Sequence, residues 1–213
     1  MTNTANPLRR PLTPPQQEAY RLAVHKALAS LQRQAPEQIA WLGGVASPGG
    51  WELPVLGDSL WIGGSSGLVA TMNAEPVRPG WQVLVLHYLS VCDRPARQPP
   101  EVAFADLPAG RGYAEVYRKR TVGRLCATVG RTRESLYTAA VAIGGRKTAA
   151  EPLTFVFDVF PRLAAGLVWH APDAEFPAEA TWLLPPNIEI YLSTEDIVVL
   201  CECCVSRLEG KPF

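Results

Sequence analysis

The sequence lacks the features that define several functional classes. No apolar run approaches the roughly 20 residues that a membrane-spanning helix needs. No apolar segment follows Arg9 and Arg10 as it would in a secretory signal. The 20 basic residues are balanced by 20 acidic ones, so no basic surface for phosphates is expected. We therefore expect neither a membrane partner nor a nucleic-acid partner.

Motifs of two enzyme classes are also absent. The chain has three histidines but no H-E-x-x-H metalloprotease motif, and it has no G-x-G-x-x-G dinucleotide fingerprint. The glycine-rich segment Gly63–Gly67 resembles part of a phosphate loop. Because neither a Lys-Ser/Thr pair nor a helical pattern follows it, the segment predicts a turn.

The composition is that of a globular chain. Hydrophobic residues make up 47% and charged residues 19%, enough to bury one sizeable core. The five cysteines fit free thiols, which together with the missing signal predict a cytoplasmic location. The sequence names no cofactor.

Hydrophobic spacing predicts an α+β fold, with antiparallel strands and hairpins packed against a buried central helix and terminal helices. Helical patterns cover Pro14 to Gln34, Trp81 to Cys92, Val122 to Val129, Leu136 to Ile143 and the segment after Ser193. Extended patterns cover 51–71, with a turn at Gly57-Asp58, and then 153–159, 163–169, 179–184 and 188–191. Strands and helices do not alternate, which argues against a parallel doubly wound sheet.

The predicted domain organisation is simple. Residues 1–12 are expected to form a disordered tail, and Thr13 to cap the first helix. Residues 13–213 are expected to form a single domain, because no clear linker divides them. A separate N-terminal subdomain over residues 13–75 remains an alternative.

Three cysteines near the end of the chain are weak candidates for a metal site: Cys201, Cys203 and Cys204. Thiolates bind soft metals, but no second cysteine pair or histidine pair accompanies this cluster. On the predicted helix, Cys201 and Cys204 share a face with Ile197 and Leu208, which favours core packing. Cys203 falls on the flank of that face.

An acidic loop is a second candidate site, for a ligand or a metal: His170, Asp173, Glu175 and Glu179. Alternating acids bind hard cations through oxygen, and a transition metal would also use the histidine. The alternative is that the acids are solvated or cap backbone amides. Phe176-Pro177 is expected to hold this loop against the core.

His87 and Asp158 are weak catalytic candidates. His87 lies in the predicted central helix, where a lone histidine is more often a satisfied core residue than a base. A carboxylate or carbonyl partner would be needed for a catalytic or ligand role. Asp158 either faces solvent or pairs with Arg162 or Arg120.

Several short segments, in this order, resemble the bacterial and archaeal family DUF3786. They are Val83-Leu-Val-Leu-His87-Tyr-Leu, Phe104-Ala-Asp-Leu-Pro108, Gly112-Tyr113, Gly144-Gly145, Phe160-Pro161-Arg162, Asp173-Ala-Glu-Phe-Pro177 and Leu192-Ser-Thr-Glu-Asp196. The resemblance implies no established reaction and no catalytic residue. Some relatives carry an N-terminal cysteine-rich iron–sulfur segment of the kind found in corrinoid proteins, whereas residues 1–91 of this chain contain no cysteine.

Three functions stay open from the sequence. The first is a non-enzymatic domain that binds a small ligand or a protein partner. The second is a metal-linked, iron–sulfur-linked or corrinoid-linked accessory protein that uses the thiols or the acidic loop. The third is an enzyme of unassigned class.

Overall fold

The computed structural model describes residues 14–213, so the predicted tail and the Thr13 cap lie outside the described residues. The helices are α1 (Pro14–Leu31), α2 (Pro36–Trp41), α3 (Pro79–Leu89), α4 (Ala114–Arg120), α5 (Val122–Ala127), α6 (Arg133–Ala142) and α7 (Thr194–Leu208). Short 3-10 helices span Phe104–Asp106, Arg111–Tyr113, Val129–Arg131 and Ile188–Ile190.

The strands form two antiparallel sheets. The first sheet contains β1 (Val45–Ser47), β2 (Gly50–Val55), β3 (Asp58–Gly63) and β4 (Val69–Thr71), in that order. The second contains β5 (Val102–Ala103), β6 (Arg146–Ala149), β7 (Leu153–Phe160), β8 (Leu163–His170) and β9 (Glu179–Leu184), in the order β5-β9-β8-β7-β6. The predicted α+β class is confirmed.

The hairpin between β2 and β3 turns one residue earlier than predicted. Val55 pairs with Asp58, which leaves Leu56 and Gly57 as the two turn residues. Both have positive φ, 48° and 75°, as a tight turn between right-twisted strands requires. Gly57 also lies against Gly144 near the second sheet, where a Cβ would come within 3.2 Å of the Gly144 backbone.

The buried central helix is confirmed as α3. Its buried residues are Trp81, Leu84, Val85, Leu86, Tyr88 and Leu89, so apolar contacts surround most of the helix. It packs against α1 and α7. A side chain on Gly80 would meet Cys203 Sγ at 3.0 Å, which shows how closely α3 approaches α7.

Helix α7 begins with a reciprocal cap formed by Ser193 and Asp196. Ser193 Oγ accepts the backbone N–H of Asp196, and the Asp196 carboxylate accepts the backbone N–H of Ser193. This reciprocal capping box satisfies two donors at the helix start. It fixes the Asp196 carboxylate at the position where α7 begins.

One predicted strand is wrong. The segment Ile188 to Tyr191 forms a 3-10 turn instead of an extended piece, because the amides of Tyr191 and Leu192 both bond to the Ile188 carbonyl. The sequence patterns given above also leave out α2, α4, β1, β5 and β6. Each spans seven residues or fewer, too short for a clear hydrophobic period to emerge.

Most buried hydrophobic residues of both sheets belong to one hydrophobic cluster, which also includes residues of α1, α3 and α7. Strands β2 and β7 are in contact across it. We keep the interpretation that residues 13–213 form a single domain. Among residues 14–213, no helix has the length and apolar character needed to cross a membrane.

Candidate functional site

A shallow groove runs between α2 and the outer edge of the first sheet. Its volume is about 600 Å³. The lining is mostly non-polar, and Glu37 is its one charged residue. The lining residues are Pro36, Glu37, Ala40, Gly43, Gly44, Val45, Ala46 and Trp51.

The local sequence explains why α2 and β1 lie side by side. Pro36 stands in the first turn of α2, where its missing N–H costs nothing. Gly43 follows the helix with φ of 95°, and a side chain there would overlap the Pro161 ring. A Cβ on Gly44 would meet Ile39 Cγ2 at 2.6 Å. Two glycines therefore let the chain reverse directly from the helix into β1.

Within residues 14–213, the outer edge of β1 presents backbone groups that no other strand pairs with. Ser47 pairs with Gly50 across a two-residue turn, and Ala46 pairs with Trp51. In such a hairpin the pair beside the turn is hydrogen bonded and the next pair is not. The N–H and C=O of Ala46 therefore point away from β2. The Val45 side chain beside them is 62% exposed.

The other sheet edges in residues 14–213 carry features that discourage further pairing. Strand β6 has Arg146 and Lys147, β5 has only two residues, and a bridge from Ala70 to Pro76 covers β4. Charge, shortness and covering segments are common protections of sheet edges. Strand β1, with the three residues Val-Ala-Ser, carries no charge, and no strand within residues 14–213 pairs with its outer edge.

The opposite side of α2 is held firmly. Gln38 Nε2 donates to the carbonyls of Val91 and Asp93, both at 3.0 Å. Arg162 Nε donates to the Trp41 carbonyl at 2.8 Å, and its guanidinium lies 4.6 Å from the centre of the Trp41 ring. Helix α2, which forms one wall of the groove, is thus held in place by contacts outside the groove.

His87 is half-exposed rather than buried, with 31% of its side chain accessible. Its Nδ1 lies 3.0 Å from Asp196 Oδ2. The carboxylate of Asp196 is thus the partner of His87 that could not be identified from the sequence. Burial raises the pKa of Asp196, but hydrogen bonds from His87 and Ser193 outweigh burial and hold that pKa below its usual range.

Ser193, His87 and Asp196 do not form a nucleophilic triad. Ser193 Oγ donates to Asp196 Oδ2 at 2.7 Å, the same oxygen that faces His87. A triad needs the serine on the far nitrogen of the histidine. The arrangement fits a structural link between two helix ends.

Asp158 pairs with neither of its predicted arginines. Its carboxylate bonds to Arg97 and to Arg146, and its side chain is 42% exposed. Burial raises the pKa of Asp158, but the hydrogen bonds and charges of both arginines lower it by more. The net pKa of Asp158 therefore lies below its usual range. Arg162 instead bonds to the Trp41 carbonyl and Arg120 to Glu202.

The acidic loop does not form a ligand shell. Asp173 Oδ1 accepts the backbone N–H groups of Glu175 and Phe176, both at 2.8 Å, and these bonds hold its pKa below the usual range. His170 and Glu179 are cross-strand partners at the ends of β8 and β9. The expectation that Phe176 holds the loop against the core is wrong, because Phe176 is 63% exposed.

The C-terminal thiols lie mainly in the core. Cys201 and Cys204 are buried, and Cys203 is half-buried on the flank. Burial raises the pKa of Cys201 and of Cys203 to about 12. Within the described part of the chain, no three histidine, cysteine or acidic residues are placed to hold one metal ion.

The segment Gly63–Gly67 also matches the G-x-S-x-G pattern of serine hydrolases, which the sequence analysis treated only as a turn. In the structure it joins the antiparallel strands β3 and β4. A nucleophile elbow requires a strand followed by a helix. The segment therefore acts as a turn.

Sequence reasoning missed the groove altogether. The sequence feature that could have indicated the groove is Gly43-Gly44, between Pro36 and the Val-Ala-Ser segment. Nothing in these residues, however, indicates a free sheet edge. That property depends on which strands pair. The groove, His87 and the acidic loop all lie in one part of the chain, residues 35–207.

Comparison with known proteins gives one match. A search of curated proteins and a search of solved structures each return no significant match. The family model described as "Domain of unknown function (DUF3786)" matches residues 35–207 of the 213-residue chain. Because this match covers far more than half of the sequence, the chain belongs to the DUF3786 family.

Proposed function

We propose that this protein is a binding module that takes up an extended segment of a partner protein along the outer edge of β1. The observation that carries the proposal is the edge of β1, which is uncharged and has no pairing strand among residues 14–213, beside a mostly non-polar groove. An added strand would pair with the peptide group of Ala46. Its side chains would enter the groove.

The groove gives the partner its chemistry. A volume of about 600 Å³ accommodates a few side chains. Small lining residues, such as Ala40 and Gly44, favour apolar side chains of the partner. Glu37 favours a lysine or arginine at one end of the bound segment, since it is the one charged lining residue.

The test is a selection from displayed random peptides of about nine residues, followed by binding measurements on the enriched sequences. Ala46→Pro removes the outward N–H and leaves the β1–β2 hydrogen bonds in place. We expect it to weaken binding about tenfold, because a buried carbonyl of the peptide loses its donor. Val45→Lys should weaken binding as well.

Val141→Lys is the matched control, since Val141 is 50% exposed on α6, away from the groove. Circular dichroism confirms that each variant is folded. Enriched peptides that bind Ala46→Pro and Val45→Lys as tightly as the unchanged protein would overturn the proposal. Failure to enrich any extended apolar sequence would also overturn it.

Two further features accompany this proposal. All five cysteines are free thiols, which supports the cytoplasmic location that we propose. The balanced charge supports a protein partner rather than a nucleic acid. The metal-linked and enzymatic functions stay predictions from the sequence.

A further inference from the structure

A second concavity, separate from the groove, lies on the outer face of the first sheet. Its volume is about 220 Å³, below the size of most drug-sized ligand sites. It shares no lining residue with the groove. The lining residues are Ser47, Glu52, Trp61, Leu68, Ala70, Thr71, Met72 and Ala74.

The register of the sheet brings an acid and an aromatic ring together. Glu52 lies directly opposite Trp61, and Trp61 lies opposite Ala70. Counting from the turn, Glu52 and Trp61 form a pair without mutual hydrogen bonds, the type in which side chains lie closest. These three residues cross β2, β3 and β4 as one row on the outer face.

The Trp61 ring has a fixed orientation. Its Nε1 donates to the Pro48 carbonyl at 3.3 Å. The far edge of the ring lies against Gly63, where a Cβ would come within 3.0 Å of it. The glycine therefore allows the indole to lie along the sheet, and the ring lines the concavity.

The concavity carries one charge, that of Glu52. Ser47 Oγ donates to Glu52 Oε1 at 2.8 Å and holds the carboxylate in place. In the described part of the chain, no salt bridge includes Glu52. The negative charge is therefore available to a ligand.

We infer that this concavity binds a small alkylated ammonium cation. An indole face attracts such a cation, and the Glu52 carboxylate supplies the counter-charge. The methyl groups of the cation would contact Leu68, Met72 and Ala74, which are apolar. An inorganic cation such as Ca²⁺ would require several oxygen ligands, and this lining supplies one carboxylate.

The test is a titration of the protein with choline, followed by NMR on the indole N–H signal of Trp61. The neutral isostere 3,3-dimethylbutan-1-ol has the same shape without the charge. We expect saturable binding of choline, and binding of the alcohol weaker by about fivefold or more. Glu52→Gln should weaken choline binding by a similar factor and leave binding of the alcohol unchanged.

Glu134→Gln is the matched control, because exposed Glu134 lies on α6 and lines neither the groove nor this concavity. Competition by phosphatidylcholine vesicles would assign the head group to a lipid, and its absence would assign it to a free cation. Equal affinity for choline and the alcohol would overturn the inference. Full choline affinity in Glu52→Gln would overturn it as well.

Discussion

At the scale of single residues, the pair of His87 and Asp196 links two helices through their ends. His87 lies in the last turn of α3, and Asp196 lies in the first turn of α7. Positive charge is favoured at a helix C-terminus and negative charge at an N-terminus. The Asp196 carboxylate therefore stabilises its own helix as well as accepting a hydrogen bond from His87.

We predict that Asp196→Asn lowers the free energy of unfolding by about 1–2 kcal/mol near neutral pH, through loss of the cap and the pair. The folded-state pKa of Asp196 lies below its ordinary value. Its stabilising contribution is therefore complete above the unfolded pKa and is lost as pH falls through the folded pKa. Urea unfolding at a series of pH values should show the two proteins converging only in acid, below about pH 4.

Glu195→Gln is the control for this prediction. Glu195 lies in the same helical turn but is exposed, and we expect its loss to change stability by about 0.5 kcal/mol or less. A constant difference between Asp196→Asn and the unchanged protein across the whole acid range would contradict the proposed role of the carboxylate charge.

The sequence predicted the character of individual residues better than their partners. The face formed by Ile197, Cys201, Cys204 and Leu208 is buried as its spacing indicated. His87 and Asp196, however, are separated by 109 positions. No local pattern connects such residues, because the contact depends on how α3 and α7 pack. The arginine partners of Asp158 were also predicted wrongly, because they depend on how other segments pack beside β7.

At the scale of elements, the segment of residues 91–101, called here the strap, joins α3 to β5 without regular structure. Backbone groups in such a segment need partners from elsewhere. Gln38 binds the carbonyls of Val91 and Asp93, and Asn187 Nδ2 donates to the Ala96 carbonyl at 2.9 Å. Side chains from other elements thus replace a hydrogen-bond ladder.

We predict that Gln38→Ala loosens the strap and destabilises the fold by about 2–3 kcal/mol, because three hydrogen bonds of a buried amide are lost together. Trypsin does not cleave the bond between Arg94 and Pro95, but Arg97 is followed by Gln98. Limited trypsin digestion should therefore cleave the strap after Arg97 sooner than in the unchanged protein. The cleavage sites are read by mass spectrometry.

Gln32→Ala is the matched control, since exposed Gln32 makes one bond, to the Ser65 carbonyl. We expect it to leave the digestion pattern unchanged. If Gln38→Ala and the unchanged protein were cleaved after Arg97 at equal rates, the strap would be held by other contacts.

Long elements could be predicted from the sequence, and short ones could not. A long, almost continuously apolar run identified α3, a face of residues at helical spacing identified α7, and the alternation in Leu153–Phe160 identified β7. Strand β1 has three residues, and its edge position follows from the pairing of other strands. The candidate groove was therefore out of reach of sequence reasoning, although the turn glycines beside it were visible.

At the scale of the whole molecule, the two sheets share one core. Residues Leu53 and Leu60 of the first sheet belong to the same buried cluster as Phe157 and Leu167 of the second. The irregular order of strands and helices was enough to predict the α+β class. It could not show whether residues 13–75 fold separately, because that depends on contacts between the sheets.

We predict that the two sheets unfold together. Leu60→Ala removes a fully buried side chain of β3 and should cost about 3 kcal/mol. If the core is one cooperative unit, native-state hydrogen exchange should show an equal loss of protection for the slowest amides of β3 and β8. Leu167→Ala, the reciprocal change in β8, should lower protection in β3 to the same extent. A loss confined to residues 45–71 in Leu60→Ala would instead show that the first sheet opens by itself, as an N-terminal subdomain requires.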